Sequence, residues 1–391
     1  MKKLIIALLG IIMSAVAYCQ TDFEIAQEFM NEKGVVLSNI SKTRGNTEPY
    51  SVFNGEDGKG FAIVVNGSVV GYSVDGTIGE IPKPLKDILD TSTRLEGKNY
   101  PDEFKPRNVT PIEPLIKTKW GQDYPYNDMC PVKDGRKCLT GCTATAMAQI
   151  LYYYRLPYGC KRFDGKYSNK KDDIKELPAT EFDWDNMLLE YRGNGYTKDN
   201  VNAIAKLMYY CGALGHSEYG IDITWGNINP CRNTKGEEIF SMYLNYDGCD
   251  YYNTDNYPDK EMVKVMDKAL EKKEPILILG RPAGNGGHWY IVDGRDSDGL
   301  FHVNWGYRGD SDGYFILSTE LFAKYGPRNS VGYYCRHLDL IIPHGTLEYT
   351  AINGVGKHAI DDNRVYNLQG QIVDSPKRGI YIKNGRKIII R

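Results

Sequence analysis

The sequence predicts an α+β fold, and three observations carry that expectation. Small residues crowd a cysteine within Thr140-Gly141-Cys142-Thr143-Ala144-Thr145, and apolar Ala146, Met147, Ile150, Leu151 and Tyr154 follow at helical spacing until Pro157 and Gly159 stop the helix. Two runs rich in aromatic and β-branched residues, His288 to Gly294 and Phe301 to Gly306, flank Asp296-Ser297-Asp298-Gly299, which reads as the turn of an antiparallel hairpin. Amphipathic stripes at Val201-Ile204-Ala205-Met208-Cys211 and Met262-Val263-Met266-Ala269-Leu270 predict two more helices whose apolar faces belong to a core.

The chain has 391 residues, enough for two or three units, and a formal net charge of −2. That balance gives no reason to expect nucleic acid or an anionic membrane surface as partner. The first segment reads as a signal peptide: Lys2 and Lys3, the apolar run Leu4 to Val16, then small residues. The run is too short for a stable membrane span. Cleavage follows Ala17 or Cys19, which sets the leader at residues 1–19. A lipoprotein reading would make Cys19 the lipid carrier, against which stands the bulky Tyr18 where a small residue is expected.

Export raises the question of disulfides. Eight cysteines follow the leader: Cys130, Cys138, Cys142, Cys160, Cys211, Cys231, Cys249 and Cys335. An even count in an oxidising compartment allows four bridges, but a free thiol at Cys142 leaves an odd number for pairing. Cys130 with Cys138 is the nearest candidate bridge. No Cys-x-x-Cys spacing suggests zinc, and the Asp-Ser-Asp-Gly repeats beginning at 296 and 310 are too short for a calcium cage and are explained by turn chemistry. No metal or organic cofactor is expected.

Residues from about 20 to 108 form a first unit. A helix is expected around Phe23 to Glu32, then Phe61-Ala62-Ile63-Val64-Val65 and Ser68-Val69-Val70-Gly71-Tyr72 separated by Asn66-Gly67, a strong hairpin signal. Taken alone this is a small α+β domain. The stretch Tyr100 to Asn108 is polar and carries Pro101 and Pro106, which suits an exposed linker open to proteolysis.

Beyond the linker, Trp120 to Asn127 reads as an irregular loop, and Gln122 lies within it. A glutamine side-chain N–H can stabilise the oxyanion of acyl transfer, with the backbone N–H of Cys142 as second donor, although on residue type alone a surface glutamine is by far the commoner reading. Cys142 itself stands at the positive end of its helix, where orphan N–H groups and the macrodipole favour a thiolate, the nucleophilic form. A buried cysteine is more often a small hydrophobe, so the nucleophile reading requires a base. His288 offers one. A turn centred near Asp296 would set His288 opposite Asn304 on one face of the sheet. The side-chain carbonyl of Asn304 would then accept from the imidazole, fixing the tautomer that faces Cys142, while Trp305 shields the bond from water. The loop Gly284-Asn285-Gly286-Gly287 opens no helix, so it is not a phosphate cradle; its glycines let substrate backbone approach. His302 lies less convincingly for the role, and His216, His337, His344 and His358 lack the flanking motif.

These motifs carry a resemblance. Gly141-Cys142-x-Ala144-Thr145-Ala146-Met147-Ala148-Gln149-Ile150, Gly286-Gly287-His288 and His302-Val303-Asn304-Trp305-Gly306 look like the streptopain family of secreted bacterial cysteine peptidases. Trp120-Gly121-Gln122 with Pro125-Tyr126-Asn127 resembles that family's opening. The likeness runs from about Pro111 to Pro343. It implies a papain-like fold, with a helical subdomain and an antiparallel β subdomain over residues 109–343, and a cysteine endopeptidase acting on protein or peptide substrates. It implies Cys142 as nucleophile, His288 as base, Asn304 as its orienter, Gln122 as oxyanion donor and Trp305 beside them. The stretches Gly60 to Val64 and Gly71 to Ser73 resemble the family's inhibitory propeptide, which would make residues 20–108 an intramolecular inhibitor removed near Lys105 to Thr110. The resemblance also implies a hydrophobic preference two residues before the scissile carbonyl. Tyr307 stands where the family has a second tryptophan, and Trp289-Tyr290 where smaller residues are common.

The segment 344–391 alternates like a small β module, with Asn384-Gly385 at a hairpin and a basic end. It resembles the C-terminal sorting domains of secreted Bacteroidetes proteins, which implies secretion or cell-surface display by a Gram-negative bacterium. Two other classes fit the same residues: a cell-wall peptide amidase, and a catalytically inactive binding protein on the same scaffold.

Overall fold

The computed structural model describes residues 21–38, 50–65, 67–79, 107–155, 159–164, 176–226, 239–244, 246–253, 259–281, 287–317, 337–345, 365–367, 379–383 and 386–390, with a few isolated positions between them. The expected leader, the linker from Tyr100 to Pro106 and the glycines 284 and 286 lie outside these residues. The chain divides into two compact units, Met1–Gly345 and Thr346–Arg391.

Helix α1 (Asp22–Asn31) begins where expected because Thr21 and Glu24 close a capping box, Glu24 N to Thr21 Oγ1 at 3.3 Å and Thr21 N to Glu24 Oε2 at 2.7 Å. Strands β1 (Ser51–Asn54), β2 (Phe61–Val65) and β3 (Ser68–Ser73) form an antiparallel meander, with Gly67 at φ 73° in the β2–β3 turn. Every residue of β2 is buried because the strand is covered on both faces. Phe61, Ile63 and Val65 enter the main core, while Ala62 and Val64 join Ala26 and Met30 of α1 in a second one.

After the linker come α2 (Cys142–Tyr154), α3 (Lys198–Leu214), β4 (Cys249–Asn253), α4 (Asp259–Glu271), β5 (Ile276–Arg281), β6 (His288–Arg295), β7 (Phe301–Asn304), β8 (Gly313–Phe315) and β9 (His337–Pro343). All strands named so far form one antiparallel sheet in the order β1-β2-β3-β8-β7-β6-β5-β9-β4. The alternating side chains of β5 and β6 divide it: Ile276, Ile278, Tyr290 and Val292 face the core that α4 covers with Met262, Met266, Ala269 and Leu270. Helix α2 packs against β5 and β6 and against α3, which is why nearly all of its side chains are buried.

The β6–β7 hairpin forms, but not in the expected register. Its turn is centred near Asp298: Arg295 pairs with Phe301, and past an irregularity at Asp293, Ile291 pairs with Asn304. His288 is therefore three residues away from the position opposite Asn304, and its sheet partner is Gly280 on β5. The cause is Asp296, which closes a longer loop than a tight turn, its N–H bonding Leu300 O at 2.9 Å and its Oδ1 accepting from Leu300 N at 2.8 Å. The extra residue at Asp293 is a bulge that redirects the strand before it reaches His288.

Cys130 and Cys138 are both thiols, which corrects the expected bridge. The hairpin between them sets Cys138 opposite Pro131, N–H to O at 2.9 Å, so Cys130 lies one residue out of register. Cys249 is disulfide-bonded. Among the described residues, no helix is long and apolar enough to cross a membrane and no group of three or more His, Cys, Asp or Glu is placed to hold a metal. In the second unit, β10 (Val365–Tyr366), β11 (Gly379–Lys383) and β12 (Arg386–Ile390) form a small antiparallel sheet, Lys383 pairing with Arg386 across Asn384-Gly385 as the sequence leads one to expect.

Candidate active site

Cys142 is the first residue of α2, and the residue before it explains the local geometry. Gly141 has φ 86° and ψ 153°, a backbone region that only glycine enters without strain, and a Cβ there would meet Thr224 Cγ2 at 2.9 Å. Its carbonyl opens the helix by accepting from Thr145 N at 3.2 Å, and the Thr145 hydroxyl reinforces the bond at 3.1 Å. The backbone N–H groups of Cys142 and Thr143 face the sulfur, as does that of Trp289 from the start of β6. The nucleophile candidate thus lies against the residue next to His288.

The helix start does not lower the Cys142 thiol as expected. Enclosure raises it above its ordinary range, and the N–H groups directed at the sulfur oppose that rise without overcoming it. His288 is buried as well, and loss of water pulls its imidazole down to about 4, against the smaller upward pull of the Trp305 carbonyl. At neutral pH the two groups therefore stand as thiol and neutral imidazole.

The imidazole is held on three sides. Its Nε2 lies 2.9 Å from the Trp305 carbonyl, so this nitrogen carries the proton and Nδ1 keeps the lone pair. The ring stacks on Tyr307, centroids 5.1 Å apart at 10°, with the Tyr307 hydroxyl 3.4 Å from Nδ1. Tyr290 stacks at 6.4 Å and 18°. Tyr307, a departure from the family pattern, is thus part of the imidazole's wall.

Asn304 makes no hydrogen bond to His288. Its Oδ1 accepts from Gly306 N at 3.1 Å and from Gln149 Nε2 at 3.0 Å, and its Nδ2 donates to Thr118 O at 3.0 Å. The Gly306 N–H belongs to the same peptide plane as the Trp305 carbonyl that receives the imidazole. Asn304 is therefore bonded to the same peptide plane that receives the imidazole. The Trp305 ring is fully buried against Tyr290 and Phe315, and what reaches the imidazole is its carbonyl, not a shielding indole.

Gln122 is half-buried, and its backbone carbonyl accepts from Thr140 N at 3.0 Å, tying the Trp120–Asn127 loop to the approach to Cys142. The same loop is clamped by Arg308, whose N–H bonds Trp120 O at 3.0 Å and whose Nε reaches Asp123 at 2.9 Å. Sequence reasoning passed over Gln149. It joins Thr118 Oγ1 at 2.8 Å and Asn304, linking helix, loop and sheet. The signal was present: one amide within an otherwise apolar helix requires a buried partner. His302 is occupied elsewhere, its Nδ1 2.6 Å from buried Asp293, which raises it from its ordinary range although burial acts the other way.

The chain is similar to several known proteins. The chain is 26% identical over 332 residues to the thiol protease/hemagglutinin PrtT of Porphyromonas gingivalis, a match covering 75% of this chain but only 36% of that protein. It is 23% identical over 345 residues to streptopain of Streptococcus pyogenes, covering 78% of this chain and 83% of streptopain. Among solved structures, a fragment of Prevotella intermedia prointerpain A superposes with a TM-score of 0.60 at 26% identity, covering 78% of this chain and 98% of the fragment. The fold is thus the papain-like one expected from the motifs, helices packed with an antiparallel sheet. A model of the Peptidase C10 family matches residues 120–315, half the chain, from the loop holding Gln122 through Cys142 and His288 to the end of β8, and the chain belongs to that family of cysteine peptidases.

Proposed function

We propose that the protein is an exported cysteine endopeptidase made as a zymogen, with Cys142 as nucleophile and His288 as general base and acid. The observation that carries this reading is the meeting of α2 and β6, where the Cys142 sulfur faces the Trp289 N–H while His288 directly precedes it with Nδ1 unprotonated. His288 Nδ1 takes the thiol proton as sulfur attacks the scissile carbonyl, and the tetrahedral oxyanion is held by the Cys142 backbone N–H and the Gln122 amide. The C–N bond breaks as the imidazolium returns its proton to the leaving amine, leaving a thioester. His288 then deprotonates water, which attacks the thioester carbonyl and releases the acid and the thiol. Asn304 orients the Trp305–Gly306 peptide, whose carbonyl holds the Nε2 proton throughout.

Residues 20–108 are the propeptide, 109–343 the catalytic domain and 344–391 a sorting-type module. Supporting a proenzyme, the superposed Prevotella fragment is named as the pro-form, and β1–β3 of this chain continue the catalytic sheet through β8. Peptides in extended conformation are the substrate class, and the propeptide is the intramolecular partner.

The test is incubation of the exported chain under reducing conditions beside Cys142→Ala and His288→Ala, followed by mass measurement and a casein digest. Wild type is expected to shorten and digest casein, and both variants to stay inert, a loss of at least roughly 1,000-fold. Equal activity in Cys142→Ala would refute the reading. Cleavage of cell-wall peptides with casein untouched would move it to an amidase.

A further inference from the structure

The second Asp-Ser-Asp-Gly repeat has a use that turn chemistry does not exhaust. Between β7 and β8 the chain turns through a short loop in which Gly306, Arg308, Gly309 and Ser311 all have positive φ, at 76°, 60°, 81° and 65°. Arg308 and Ser311 are not glycines, so each stores local strain that other contacts must hold in place. The first residue of that loop, Trp305, supplies the carbonyl that receives His288 Nε2 at 2.9 Å. From the far end Asp312 reaches back across the loop, and its Oδ1 accepts from Trp305 N at 2.8 Å. Both residues are buried, so losing this bond leaves a buried donor without its partner.

We propose that Asp312 is a positioning residue of the dyad: its side-chain Oδ1 holds Trp305 by the backbone N–H, so that the Trp305 carbonyl keeps the His288 imidazole aligned with Cys142. This rests on the Cys142–His288 reading. Trp305 is then held twice, its N–H by Asp312 and the peptide plane of its carbonyl by Asn304 through Gly306 N–H. The two ties fix the two peptide groups flanking one α-carbon, which leaves the carbonyl no freedom to swing. Without Asp312 the strained loop can relax, and the imidazole follows the carbonyl to which it is bonded. A shift of about an ångström in a general base costs on the order of 100-fold in rate.

The decisive comparison is steady-state kinetics on a fluorogenic peptide for processed wild type, Asp312→Ala, Asp312→Ser and Asp312→Asn, with Cys142→Ala as control. Alanine and the too-short serine are expected to lower kcat roughly 10- to 100-fold while KM stays within about twofold. Asparagine, which keeps an acceptor oxygen at the same reach, is expected to recover most of that loss. Iodoacetamide labelling of Cys142 is expected to slow in parallel with kcat. Asparagine rescue is not expected from bulk or fold alone, and thermal melts identify any variant that fails to fold; Asp312→Asn against Asp312→Ser then carries the test. If wild type and Asp312→Ala share the same kcat while Cys142→Ala is dead, the positioning role is wrong and the dyad stands. If Cys142→Ala is as active as wild type, the dyad itself has failed.

Discussion

At Gly141 the backbone and the space around it both exclude a side chain, one residue before the sulfur. Gly141→Ala is expected to cost about 1–3 kcal/mol of stability from backbone strain alone and to lower kcat/KM more than tenfold, because relief of the strain moves Cys142. Thermal melts and peptide kinetics on the same sample check both. His288 makes a second prediction. Its imidazole titrates at about 4 in the folded chain, below the ordinary value near 6.5, so the unfolded state binds the extra proton between those pH values. The stability gained by keeping His288 neutral is complete above about pH 6.5 and is lost as pH falls toward 4, on the order of 3 kcal/mol. Urea denaturation at pH 7 and pH 4.5 should show a larger drop for wild type than for His288→Gln; equal drops would refute the assignment. The raised Cys142 thiol predicts that iodoacetamide labelling of the full-length chain keeps accelerating as pH rises past 8, with no thiolate plateau near neutrality.

Among the elements, α2 was the most legible because its signals agree: small residues at the start, an apolar stripe, and Pro157 to stop it. The hairpin of β6 and β7 was legible as a hairpin and not in its register. Asp296-Ser297-Asp298-Gly299 announces a turn, but whether two or five residues close it depends on the Asp296 carboxylate bonding Leu300 N, and the bulge at Asp293 depends on that side chain leaving the sheet to meet Ile116 N at 2.7 Å and His302 at 2.6 Å. Such tertiary contacts leave no periodicity in a sequence. The same register difference makes the hydrogen-bond partner of His288 the Trp305 carbonyl, not the Asn304 side chain. The residues of the candidate site could be named from their motif, while their connections through Gln149, Gly306 and Asp312 required the register. One contact at the β3–β8 seam invites a direct test. The Tyr72 hydroxyl donates to Asp296 Oδ2 at 2.8 Å in a buried setting, so Tyr72→Phe is expected to weaken the seam by about 1–2 kcal/mol and, under the proposed zymogen reading, to speed loss of the first segment. Timed mass spectrometry of the processing reaction would measure it.

For the whole molecule, the segment before the linker is not a separate globule resting on the residues that follow it. Phe61, Ile63 and Val70 belong to the same core as Met266, Tyr290 and Phe315, and the sheet crosses the boundary through Tyr72–Tyr314 and Gly71–Phe315. A chain lacking residues 20–106 is expected to melt lower than the full chain and to bind a hydrophobic dye, since the apolar face of β8 loses its cover. Unchanged melting would mean that the two cores are independent. This sharing was not legible in advance, because each half reads as complete: alternation says that a strand has two faces, not which element will cover them.

The stretch after the linker is sewn along the sheet. Arg107 N bonds Asp298 O at 2.9 Å, Val109 N bonds Ser297 O at 3.0 Å, Ile112 and Arg295 exchange bonds at 2.8 and 2.9 Å, and Leu115 N bonds Asp293 O at 2.9 Å. The Arg107 guanidinium adds an ion pair to Asp267 and a bond to Gly299 O at 2.8 Å. A chain nicked within this stretch would keep both new ends in place. Gel filtration would find one particle of unchanged size where a denaturing gel shows two bands, so under the proposed zymogen reading separation of the fragments, and not scission, would release the enzyme.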